Sequence, residues 1–160
     1  MYLAVVLLLM LVLPVGSAAV ELILHAASGP AVLIVAGKWF VFWGVGGRLA
    51  LAGIRQIARP GLTLEGILGV KGDEAFVIVR ELGFANLAIG TVALCSIFAP
   101  AWVLPSALAG LIFYALAGIG HVRKHERNRD ENIALISDLF MAAVLFVYIV
   151  GAVAMFGVPA

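Results

Sequence analysis

The sequence predicts an all-α membrane protein, a transmembrane helical bundle of five spans forming a single domain over residues 1–160. Three observations lead there. The chain is 64% hydrophobic and only 12% charged, whereas soluble chains run to about half apolar and about a quarter charged. Apolar runs of about 20 residues, enough to cross the hydrocarbon core as helices, recur five times. The lysines and arginines gather in two of the four connections, as the positive-inside rule leads one to expect of a multi-span protein.

The spans cover roughly residues 1–24, 31–58, 75–99, 102–122 and 133–156. The first lacks the positive n-region of a signal peptide and its apolar run is long, so it reads as a span; cleavage would leave four. "HAASGP" is a turn that places Pro30 at the start of the second helix. Beyond that helix, "RPGLTLEGILGVKGDE" carries turn residues at Pro60-Gly61 and Lys71-Gly72-Asp73. "LTLEGIL" between them suits a short amphipathic helix on the membrane surface. Asp73 and Asp130 are the expected N-caps of the third and fifth spans, and "APAW" reverses the chain between the third and fourth.

Arg55, Arg59, Lys71 and Arg80 flank the second connection, and Arg123, Lys124, Arg127 and Arg129 the fourth. With five spans these lie on one side, which the rule makes the cytoplasm. The expected location is the inner (plasma) membrane, multi-pass, with the N-terminus cytoplasmic and the C-terminus outside.

Polar residues inside the spans carry the functional reading. At 100° and 1.5 Å per residue, Gly83, Asn86, Gly90 and Ala93 share one stripe, suited to close helix contact and a hydrogen bond from Asn86. Glu81 points elsewhere, about 140° away. Polar groups on two faces predict a central place in the bundle for the third span. Arg48, Glu81 and Asp138 reach similar depths, and intramembrane charges usually pair. The expected inner cluster, a candidate binding site, is therefore Arg48, Arg55, Gln56, Glu81, Asn86, His121 and Asp138, with Asn132 at its rim. An outer polar group of Glu21, His25 and Lys38 is expected near the opposite surface, with Trp39, Trp43 and Trp102 in an interfacial belt.

Other chemistry is poorly represented. The basic residues form no nucleic-acid-binding face. Cys95 is the single cysteine, so one chain can form neither an internal disulfide nor a thiolate cluster. His121 and His125 stand four apart in "HVRKHE", a weak metal candidate, and no metal is predicted. The glycine-rich "WGVGGRLALAG" contains no G-x-G-x-x-G, and no serine stands with a histidine and an acid, so the reading leans away from an enzyme.

"KWFVFWGVGGRLALAGIRQIARP", "VRELGFANLAIG", "ALAGIGH" and "ENIALISD" resemble a family of small prokaryotic multi-span membrane proteins, a domain of unknown function. The resemblance covers about Lys38 to Asp138 and implies a compact helical protein with no established activity. It puts weight on Arg48, Arg55, Gln56, Glu81, Asn86, His121 and Asp138 as matching motif positions.

Three functions are then expected in turn. The first is a non-enzymatic subunit or helix-packing partner in a membrane assembly, with other subunits or further copies as partners besides the membrane lipids. The second is a lipid- or quinone-binding protein using the buried Arg/Glu/Asp cluster, no other cofactor being predicted. The third is a small proton or ion pathway joining the two polar groups.

Overall fold

Five helices long and apolar enough to cross a membrane run through the computed structural model, which describes residues 1–26, 28–65 and 75–157 apart from the Phe156 side chain. They are α1 (Tyr2–Leu24), α2 (Pro30–Ala58), α4 (Phe76–Cys95), α5 (Val103–Arg123) and α6 (Arg129–Phe156). A short α3 (Pro60–Leu64) follows α2, and a single 3₁₀ turn, Pro100–Trp102, leads into α5. Among the described residues there is no strand. The fold is thus an all-α bundle. Of the surface helix expected over "LTLEGIL", α3 covers only Leu62–Leu64; residues 66–74, Lys71 and Asp73 among them, lie outside the described residues.

Local chemistry sets the helix ends. Gly29 adopts a positive φ of 62° and Pro30 opens α2, where its missing N–H costs nothing. The cap of α6 is a correction. Asn128, not Asp130, caps it, its side chain accepting from the Glu131 amide at 2.8 Å, and Asp130 and Glu131 occupy the first turn. At the end of α5, Arg127 Nη1 donates to the carbonyl oxygens of His121, Val122 and Lys124. That fork satisfies carbonyls the helix terminus would leave open.

The centre of the bundle is α2, not the third span. Val41, Val45 and Leu49 of α2 are buried against Met141 and Leu145 of α6 and Ala107 and Tyr114 of α5, and Val6 and Met10 bring α1 into the same core. Glycines admit the closest neighbours: Gly37 faces the Tyr148 ring, Gly44 faces Met141, and Gly110 faces Val45. Against α4, Gly46 and Gly53 of α2 interleave with Gly83 and Gly90, bringing backbone onto backbone. Val79, Gly83, Asn86, Gly90 and Ala93 are the buried residues of α4, the stripe read from the sequence with one more turn. Its opposite face, with Glu81, Ala85 and Ala88, is exposed. So α4 lies at the edge of the bundle and packs through a single stripe.

Two stretches form wider, π-type turns closed over five residues, Leu8–Val12 in α1 and Phe40–Gly47 in α2. Below the second, the Arg48 amide bonds the Trp43 carbonyl rather than that of Gly44. The Gly44 carbonyl accepts instead from the Tyr114 hydroxyl at 2.6 Å, in the buried core.

Candidate functional site

A cavity of about 1050 Å³ opens at the end of the bundle that carries the basic residues. Sites for small molecules run from roughly 300 to 1,000 Å³, so there is room for one. Of the seven residues expected in the inner cluster, six line it: Arg48, Arg55, Gln56, Asn86, His121 and Asp138. Glu81 does not. It stands exposed on the outer face of α4 and makes no ion pair among the described residues. Equal depth brought Glu81 level with the others, but its angular position turns it away.

The partners differ from those expected. Arg48 donates through Nη2 to the Tyr2 hydroxyl at 2.8 Å, and its guanidinium lies 5.5 Å from the centre of the Tyr2 ring. It pairs with neither Glu81 nor Asp138. Tyr2 was missed by sequence reasoning, although its hydroxyl at the end of α1 has the depth to meet Arg48. The Arg48 Nε is buried with no hydrogen-bond partner. Arg55, seven residues on and therefore on the same face, makes no ion pair among the described residues.

Asn86 is 1% exposed and donates to Gln56 Oε1 at 2.8 Å, joining α4 to α2 where the glycines bring them together. Its Oδ1 has no partner. Across the cavity, His121 lies between two acids of α6: Nδ1 is 3.2 Å from Glu131 Oε1, and Nε2 is 3.9 Å from Asp138 Oδ2. Lys124 completes the surroundings of Glu131 at 2.8 Å. Glu131, only 1% exposed in the first turn of α6, is the acid on which this corner converges. Asn132 is drawn away from the rim, bonding Arg127 Nε at 3.0 Å.

The helical spacing that would put His121 and His125 on one face does not extend to His125, because α5 ends at Arg123. Lys124 is extended, and His125 lies exposed beyond the helix. Among the described residues, no three His, Cys, Asp or Glu side chains are grouped to hold a metal ion.

The outer group forms as the spacing suggested, with different partners for two members. Lys38 Nζ reaches Glu21 at 2.5 Å and Trp39 Nε1 donates to Glu21 Oε2 at 2.6 Å. His25 bonds the Glu21 backbone carbonyl, and Trp43 Nε1 turns inward to Ser17 Oγ at 3.0 Å. Glu21 and Ser17 thereby link α1 to Lys38, Trp39 and Trp43 of α2.

No curated protein and no solved structure gives a significant match to the chain. The sequence model of one family matches residues 4–155, a stretch that reaches into all five membrane-length helices; the chain belongs to the family of unknown function DUF6790.

Proposed function

We propose that this protein is a membrane-embedded binding protein whose cavity receives the polar end of a small amphiphile, a lipid or a quinone. The observation that carries the reading is the contrast between the walls of the cavity. One wall carries the guanidinium groups of Arg48 and Arg55, neither of which makes an ion pair among the described residues. The mouth holds four leucines from four helices, Leu3, Leu62, Leu82 and Leu116, each between 37% and 64% exposed. Unpaired cations within a membrane bundle are costly, so a polar ligand gains by meeting them. An apolar rim suits a tail that continues into the bilayer. In this reading the basic end faces the cytoplasm, following the positive charges at both connections.

Gly120 lines the mouth, and a Cβ built on it meets no atom within 4 Å. Gly120→Phe therefore places a large side chain at the opening with its Cβ free of contact. Wild-type protein in mild detergent is expected to retain an amphiphile detectable by native mass spectrometry. Gly120→Phe should lose it, and after delipidation the two proteins should unfold at the same temperature. Equal retention in both proteins, or none in either, would overturn the reading.

The outer face of α4 favours a second reading, a helix-packing subunit. Glu81 is exposed there with Ala85 and Ala88 beside it, and small residues around an intramembrane carboxylate suit another helix. Native mass spectra distinguish the two by showing bound subunits rather than bound amphiphile. The pathway reading has least support, because Val41, Val45 and Leu145, each 0% exposed, fill the space between the outer and inner groups.

A further inference from the structure

Formal charge within the cavity does not balance. At its rim, Glu131 is matched by Lys124, and Arg129 is followed by Asp130 in the first turn of α6. Inside remain Arg48 and Arg55 of α2 against Asp138 of α6. That is two cations against one carboxylate, one negative charge short. Asp138 does not discharge Arg48 by contact, since its ion-pair neighbour is His121. Arg48 carries five N–H donors, and its single side-chain acceptor is the neutral Tyr2 hydroxyl. A guanidinium set this way within a membrane bundle calls for an anion that can take its planar fork.

We propose that the cavity selects an amphiphile whose head group is a monoanion, a carboxylate or phosphodiester. The anion meets the Arg48 guanidinium, which lines the cavity, while the tail leaves past Leu82 and Leu116. This rests on the amphiphile reading given above and adds the chemistry of the head. A related anion exists free in water, the phosphomonoester glycerol phosphate, so the source must be tested together with the charge.

The experiment compares delipidated protein with three probes: phosphatidylglycerol, phosphatidylcholine of the same chains, and free glycerol 3-phosphate as competitor. Binding is read by native mass spectrometry. Phosphatidylglycerol is expected to bind about tenfold more tightly than phosphatidylcholine, the scale of one charge-assisted contact. Arg48→Gln should bring that ratio close to one. Arg123→Gln, exposed on α5 and outside the cavity lining, should leave it unchanged. Equal binding of the two lipids to wild type overturns the head-group inference and leaves the amphiphile reading standing. Because that comparison uses the wild type, it holds even if Arg48→Gln does not fold. Equal loss in Arg123→Gln and Arg48→Gln also overturns the inference, by assigning the preference to general surface charge. Binding of neither lipid, with glycerol 3-phosphate bound to wild type and lost in Arg48→Gln, supports the anion site and overturns the amphiphile reading. Binding of none of the three overturns both.

Discussion

A methyl group at Gly53 tests the α2–α4 contact more severely than any change of charge. Its Cβ would stand 2.6 Å from the Gly83 carbonyl oxygen and 2.6 Å from the Leu87 amide nitrogen. Comfortable non-bonded separations begin at about 3.5 Å, so α4 must retreat by close to 1 Å on this estimate. Both obstructing atoms are backbone and cannot rotate aside. The retreat also opens the contacts at Gly46 and Gly90, which close the same seam. Overpacking of this kind costs about 1–3 kcal/mol; with rigid backbone on the far side, Gly53→Ala belongs in the upper part of that range. Alanine's helix propensity returns about 1 kcal/mol, leaving a net loss of about 1–2 kcal/mol. Gly120→Ala is the control, since its Cβ meets nothing within 4 Å and only the propensity gain applies. The two variants should differ by about 2–3 kcal/mol. Reversible unfolding in mixed micelles, followed by tryptophan fluorescence, measures that difference. If Gly53→Ala proves as stable as Gly120→Ala, the two backbones are not in contact and the placement of α4 is wrong.

Two further substitutions examine the polar residues of α4. Glu81→Gln should change stability by no more than about 0.5 kcal/mol, as for other exposed sites without a partner; a loss of several times that in the same unfolding assay would place Glu81 in a buried pair. Asn86→Ala and Gln56→Ala, made singly and together, should show a coupling of about 0.6 kcal/mol and at most about 1.7 kcal/mol, the range for hydrogen bonds between membrane helices. Strictly additive losses would mean that their 2.8 Å contact contributes nothing to holding α2 and α4 together.

Much of this architecture is legible in the sequence because hydropathy and length are one-dimensional. Five spans follow from runs of apolar residues, and the buried stripe of α4 follows from helical spacing. Glu81 shows where such reasoning stops. Depth along the membrane normal can be counted from the sequence, but a pairing also needs two helices to turn their faces together. The step angle already set Glu81 apart from Asn86; only the assumption of neighbours on both sides drew it inward. Arg48 failed for a different reason. Its acceptor, Tyr2, stands 46 residues away on another helix, and no periodicity links the two. The cap of α6 was readable: Asn128 precedes Glu131 by three, the spacing of a capping box, and the stronger-looking Asp130 drew attention from it. The cavity is legible only in part. Six of its polar residues could be named, but the space between them depends on how the helices that line it pack together.

The π-type stretch Phe40–Gly47 imposes a constraint on chain length rather than on residue identity. More residues fit into each of its turns than in the α-helix on either side, so the helical phase below it is offset from the phase above. Lys38 and Trp39, which meet Glu21, belong to one phase; Arg48, Arg55 and Gln56, which line the cavity, belong to the other. Removing one residue from the stretch would let the ladder close over four with the two halves near their present relative orientation, because the wide turn is what absorbs the extra residue. Closing over four with no residue removed would instead swing the lower half by about 100° relative to the upper. The two polar groups could then keep every side chain they have yet no longer face their partners together. The extra residue and the wide turn are therefore matched, and changing one without the other separates the two ends of the molecule in orientation.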